Sequence, residues 1–291
     1  MELFGKNVLI RAKGCSYGNS TPDDIPPMVN LYVKVTNRCN ASCRFCCNTK
    51  HSYNREFNID KLFCVIDEVR HQNIRVNRIN ITGGEPSMEA GFVERILKKM
   101  EEKPYLDIPL QLNTNGLSSE AYTLMRHPRW DAISLSLHHY RKEVLANIYG
   151  TEVSKTTINV EGIDRQILSC SCNLIRGYID CEEEITKMMD YVISLRIHNM
   201  GFVVLMPSNQ YCKTHYIGYK DINMLSISGI IKTKEQKNGN YCCCENYLYR
   251  NNYGALDVYI RQTTDPQYCS SSLLFDGMYL RQGFHDDNII Y

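Results

Sequence analysis

Excess charge of either sign is absent from this 291-residue chain: 33 basic and 32 acidic residues leave a formal net charge of +1. Such a surface offers no electrostatic hold to nucleic acid or an anionic membrane, so neither is expected as a partner. Long apolar runs are absent too. No stretch approaches the roughly 18 apolar residues of a membrane span. The opening MELFGKNVLIRAKGCSYGNS lacks a basic start followed by an apolar run, so it does not read as a signal peptide. The expected location is the cytoplasm. There is no internal repeat beyond an alternation of strand-like and helix-like segments, and no low-complexity tail. Cysteine, by contrast, is plentiful, at 14 residues. In a reducing compartment clustered cysteines bind metal or act in catalysis more often than they form disulfides.

The cysteines are unevenly placed. Cys39, Cys43, Cys46 and Cys47 fall within TNRCNASCRFCCNT, residues 36–49, and Cys242, Cys243 and Cys244 are contiguous. The others are scattered. Cys64 lies in a helical apolar pattern and is expected to be a small buried hydrophobe.

Segment periods point to an α/β fold. LYVKVT alternates and is rich in β-branched and aromatic residues, as a strand should be. NIDKLFCVIDEVRHQN spaces apolar residues as a helix does, with Asn58 as its N-cap. Strands then follow at RVNRINIT, IPLQLNTNG, DAISLSL, CNLIRGYI and MGFVVLMP, separated by helical segments. TTINVEGIDRQILS is expected to be helical for most of its length. Six such βα units between about residues 31 and 206 predict a parallel sheet, organised as a partial, open (βα)6 TIM-like barrel. Residues 1–30 form a lead. Residues 207–291, rich in Tyr, Asn, Gly and Ser, are expected to form a short irregular C-terminal extension against the barrel's open side. Chemistry in parallel α/β folds gathers at the C-terminal strand ends. The cysteine loop, GGEP, NTNG, SLHH and MP all fall there.

Cys39, Cys43 and Cys46 have C-x3-C-x2-C spacing. A disulfide, a zinc site, a reactive pair and an iron–sulfur cluster are all open readings. Structural zinc takes four ligands, in two separated pairs. A redox pair of Cys43 and Cys46 leaves Cys39 unexplained. Soft thiolates also suit iron–sulfur clusters.

CNASCRFC after a first strand, with Gly83, Gly84, Glu85 and Pro86 ending the second, resembles the radical S-adenosylmethionine superfamily. The resemblance covers about residues 30–206. It implies an enzyme whose Cys39, Cys43 and Cys46 hold a 4Fe-4S cluster with one iron open to S-adenosylmethionine. Reductive cleavage would give a 5′-deoxyadenosyl radical that abstracts hydrogen from a peptide side chain or a small polar metabolite. Phe45 would lie near the adenine, and GGEP near the methionine ammonium. LNTNG places Thr114 and Asn115 near the site. Ser134 or Ser136 would meet the ribose or the carboxylate, Arg176 would pair with a carboxylate, and Met206 would flank the adenine. An electron donor such as flavodoxin or ferredoxin is the implied partner. Cys47 is expected to be a packed, incidental thiol.

Cys242 or Cys244 with Cys269 is expected to hold a second, auxiliary cluster, with Cys212 as a further candidate ligand. Tyr241, Tyr247, Tyr249, Tyr253 and Tyr259 are candidates for a substrate pocket. The middle of the chain also resembles the GTP 3′,8-cyclases of molybdenum-cofactor biosynthesis. It departs from them in its contiguous cysteines, its thin arginine segment and its ending in NIIY. A cyclase, a glycyl-radical activase and a non-catalytic zinc- or iron-binding interaction protein are the alternatives. The first 30 residues are short for a leader-peptide domain, which weighs against a peptide substrate.

Overall fold

The computed structural model describes residues 2–10, 27–48, 57–233, 245–261, 271–283 and 288–291. Two short strands, β1 (Glu2–Leu3) and β2 (Lys6–Asn7), form a hairpin. Then β3 (Met28–Lys34), α1 (Ile59–His71), β4 (Arg75–Thr82), α2 (Ala90–Met100), β5 (Leu110–Thr114), α3 (Ser119–Met125) and β6 (Ala132–Ser136) alternate. The alternation continues through α4 (Lys142–Tyr149), β7 (Leu168–Leu174), α5 (Glu182–Ser194) and β8 (Asn199–Val204). After a short α6 (Gln210–Thr214) come β9 (Ile230–Lys232), β10 (Glu245–Asn251), β11 (Gly254–Arg261), β12 (Ser271–Phe275) and β13 (Leu280–Arg281).

Local chemistry sets the helix ends. The Asn58 side chain accepts from the Lys61 amide and starts α1, as its sequence position predicts. Ser118 caps α3 in the same way. Gly150, at φ +59°, ends α4 in the left-handed conformation that glycine adopts without strain. On α1 the apolar stripe Leu62, Phe63, Ile66 and Val69 is buried, each side chain worth about 1.5–3 kcal/mol. Cys64 falls outside that stripe and is exposed, contrary to expectation. It shares the solvent face with Asp60 and Asp67.

Strands β3 to β8 lie side by side in chain order, all parallel. The (βα)6 core is therefore present. Right-handed crossovers between strands laid down in one direction put every helix on the same face of the sheet. Burial along the strands agrees. Leu110 and Leu112, Ile133 and Leu135, and Cys170 and Cys172 are buried, while the alternate positions are half-exposed. One face is thus apolar and helix-covered, and the other is helix-free.

The C-terminal stretch is more regular than its composition predicts. β11 pairs in parallel with β8, and β12 pairs in parallel with β3. They extend the sheet at opposite edges and make a row of eight parallel strands, with β10 and β13 antiparallel outside it and β9 pairing antiparallel to β10. The burial of GALDVYIR does alternate, but which strand receives it is a long-range choice that local sequence does not carry. A second difference concerns residues 156–167, which form turns rather than a helix. Gly162 sits at φ +71° and the Glu161 amide bonds the Asn159 side chain. Arg126 and Arg165 hold the loop's carbonyls from outside the chain's own helical register. No helix among the described residues is long and apolar enough to cross a membrane.

Candidate functional site

The cysteine loop leaves β3 and is laced at once to the end of β4. Val35 N donates to Thr82 O (2.9 Å), Gly84 N to Thr36 O (2.8 Å) and Glu85 N to Arg38 O (2.8 Å). The two glycines make this approach possible. A Cβ on Gly84 would stand 2.2 Å from the Arg38 carbonyl oxygen, and one on Gly83 would stand 2.7 Å from that of Thr36. The amides of Gly84 and Glu85 are therefore occupied by the loop. Further along, Asn48 Nδ2 donates to Gly83 O (2.8 Å), and Ser42 N donates to Tyr149 O (2.6 Å) at the end of α4.

Glu85 braces three elements. It is 1% exposed, and its carboxylate accepts from Ser87 N (3.1 Å), Thr114 Oγ1 (2.7 Å) and Asn115 N (2.8 Å). Burial raises its carboxyl above the usual glutamate range, and those hydrogen bonds oppose the rise. Asn115 passes the brace on to the cysteines. Its Nδ2 donates to Asn40 Oδ1 (2.7 Å) and lies 3.8 Å from Cys39 Sγ. Pro86 is buried and opens a short 3-10 turn.

Cys39 is exposed, while Cys43 and Cys46 are half-buried. Burial pushes the Cys43 thiol up to about 12, with Cys46 and Cys39 adding to the effect. Cys39 is raised for the same main reason. Thiols that disfavour the ionisation of Cys39 and Cys43 make a site that gains from a cation. Among the described residues no three His, Cys, Asp or Glu side chains converge on a single ion. Zinc would draw its ligands to about 2.3 Å from one centre. The donor set of three thiols is the soft one that iron–sulfur clusters take.

Phe45 points into a small apolar cluster with Ile148, Ile175, Leu205 and Cys212. Its ring meets that of His138 edge-on at 4.9 Å. His138 is buried, accepts from Asn173 N at 3.1 Å and is held down to about 3 by desolvation. It is thus neutral. Met206 follows β8 beside this cluster and is half-buried. α6 clamps the loop from the other side. Asn209 Nδ2 donates to Arg44 O (3.1 Å), Cys212 Sγ to Phe45 O (3.4 Å), and the Arg44 guanidinium covers the Tyr211 ring at 4.7 Å. Cys212 therefore sits against the first cysteine loop. Arg176 is exposed, and its Nε and Nη2 both donate to the Tyr216 carbonyl.

Ser134 and Ser136 lie on the helix-free face, in register with Ser169 and Ser171. Tyr259 joins them: a Cβ on its register partner Gly201 would strike the tyrosine ring at 2.2–2.4 Å, so that ring lies across β8. Of the other tyrosines, Tyr247 and Tyr249 are buried and Tyr253 is 89% exposed at a hairpin tip. Tyr241, Cys242, Cys244 and Cys269 lie outside the described residues.

Two cations escaped the sequence reading. Lys34 ends β3 on the helix-free face, is buried, and is lowered by desolvation against the influence of Cys47, Asp276 and Cys46. Cys47 itself is half-buried, its thiol raised by burial and by Cys46. Arg78 lies deeper on the same face. The signal available was a basic residue at an inward position of a strand, in LYVKV and RVNRINIT.

Comparison with known proteins bears on this arrangement. A probable GTP 3′,8-cyclase of Saccharolobus islandicus is 24% identical over 183 residues, covering 62% of this chain and 58% of the relative. The chain therefore spans little more than half of that relative's length. A probable GTP 3′,8-cyclase of Thermococcus kodakarensis is 22% identical over 261 residues, covering 84% and 80%. Among solved structures, Streptococcus suis SuiB bound to its precursor peptide SuiA matches with a TM-score of 0.51 at 13% identity, over 70% of this chain and 43% of that one. At that identity the likeness is one of fold. Residues 33–211, the stretch from the end of β3 to α6, match the family described as the Radical SAM superfamily, and the chain belongs to it.

Proposed function

We propose that this radical SAM enzyme removes a hydrogen atom from a small polar substrate held on the helix-free face of its sheet. The observation that carries the reading is the placement of three thiols at the mouth of a polar, helix-free strand face. Family membership implies a 4Fe-4S cluster and S-adenosylmethionine. When bound, these supply one electron and the 5′-deoxyadenosyl radical that takes the hydrogen atom. Cys39, Cys43 and Cys46 would hold the cluster. Gly83 and Gly84 let the loop close on β4, and Glu85, through Thr114 and Asn115, fixes Asn115 beside Cys39. Phe45, backed by His138, and Met206 would offer an apolar wall to the adenine. Ser134 and Ser136 would meet the ribose or the carboxylate. A one-electron donor such as flavodoxin or ferredoxin would serve as reductant.

The test is anaerobic reconstitution with iron and sulfide, reduction with dithionite and assay of 5′-deoxyadenosine. Formation of 5′-deoxyadenosine is expected; its absence sinks the reading. A triple Cys39/Cys43/Cys46→Ala variant should lose it. Iron that persists in that variant, near four atoms per chain, would support a second cluster on Cys242 or Cys244 with Cys269; its absence refutes one. The second reading is cyclisation of GTP, favoured by the 22% identity that spans 84% of the chain. Consumption of GTP under the same conditions would select it.

A further inference from the structure

The helix-free face holds a guanidinium that forms no ion pair among the described residues. Arg78 Nη1 donates to Gln111 Oε1 at 2.6 Å. Its Nε is buried and has no hydrogen-bond partner. Arg165 also buries an unpaired Nε, but its Nη1 holds two carbonyls of its own loop, Val160 and Ile163. Arg165 therefore has a structural task, whereas Arg78 has one neutral amide for company. An unpaired buried donor costs about 1–3 kcal/mol, and more when charged.

The neighbours of Arg78 are turned by its chemistry. Arginine can only donate, so Gln111 must present its oxygen. The Gln111 amide nitrogen then donates to Asn113 Oδ1 at 2.7 Å. Asn113 has its oxygen engaged, and its Nδ2 is left for the open face. Arg78 and Asn113 together present more donors than acceptors. Such a surface selects a group that only accepts, and a fork of guanidinium N–H groups matches two oxygens on one centre.

We infer that Arg78, with Asn113 Nδ2, anchors an oxyanion of the substrate, a carboxylate or a phosphate. The inference rests on the proposed function insofar as the helix-free face is taken as the reaction chamber. Position adds a length requirement. Arg78 is four residues before Thr82, where the cysteine loop meets β4. At about 3.3 Å per residue that is about 13 Å along the strand. The substrate is thus an elongated small molecule, anionic at the deep end and reactive near the cysteines.

Calorimetric titration of the reconstituted protein, with S-adenosylmethionine present, tests this with two probes: inorganic phosphate and glutarate. At least one should bind, and Arg78→Met should weaken it about tenfold or more, with Arg78→Lys between. A preference for phosphate points to a phosphorylated substrate, and one for glutarate to a carboxylic acid. Equal binding by the Met variant, or binding of neither probe, overturns the assignment. A second measurement needs no substitution: modification of Arg78 by phenylglyoxal, mapped by mass spectrometry, should be slowed by the probe that binds, and an unchanged rate contradicts the proposal. Formation of 5′-deoxyadenosine by the unsubstituted protein is scored separately. Its failure ends the radical reading, whereas failed anion binding ends only the role of Arg78.

Discussion

Glu85 and Arg78 flank the C-terminal half of β4, and the fold treats their charges in opposite ways. The carboxylate of Glu85 accepts three hydrogen bonds and ties β4 to β5. The guanidinium of Arg78 makes one, to a neutral amide, and leaves a buried N–H unpaired. Both sites are costly to bury, and only the first is balanced within the chain. The difference separates architecture from recognition. A buried polar group with every partner in place holds the site's shape, and one with partners missing is shaped for a ligand.

The largest effects should come from the architectural side. Gly84→Ala drives a Cβ into the Arg38 carbonyl, backbone against backbone, so the cysteine loop must move off β4. Iron retained after reconstitution should fall below half that of the unsubstituted protein; full iron content would break the comparison. Glu85→Ala strands three donors in a buried space. Denaturant unfolding should register a loss of about 3 kcal/mol or more.

A middle effect concerns acid. Burial holds His138 down at about 3, and burial with Arg141 holds His139 down at about 4. An unfolded histidine titrates near 6.5, so the unfolded chain takes up these protons first. The contribution is complete above pH 6.5 and is lost as the pH falls toward the lowered values. Unfolding midpoints should drop across that window, and His138→Asn, which keeps an acceptor for Asn173 N, should flatten the drop. The smallest effect belongs to the recognition side. Arg78→Met relieves the buried unpaired Nε and strands Gln111 Oε1, two effects of opposite sign, so stability without ligand should fall by no more than about 1 kcal/mol. A loss as large as that for Glu85→Ala would make Arg78 architectural.

Much of this molecule is legible in its residues. Period-2 and period-3.6 patterns mark the six βα units, and Asn58 marks where α1 begins. CNASCRFC and GGEP mark the candidate site, where three thiols share one short loop and glycines stand where two backbones nearly touch. The turns at 156–167 were misread because isolated apolar residues there mimic a helical stripe, while the deciding contacts come from Arg126 and Arg165. The parallel insertions of β11 and β12 were hidden because register is set across more than 50 residues of chain. Arg78 was passed over because a basic residue in a strand looks solvated until its neighbours are known. The clamp of α6 on Phe45 and Arg44 was missed for the same reason.

On the proposed reading, Cys39, Cys43 and Cys46 hold a cluster with one position left open for S-adenosylmethionine. Electron paramagnetic resonance of the dithionite-reduced, reconstituted protein tests it most directly. A reduced-cluster signal is expected that changes shape when S-adenosylmethionine is added and is missing from the triple Cys39/Cys43/Cys46→Ala variant. A signal indifferent to S-adenosylmethionine, or one that survives unchanged in that variant, would contradict it.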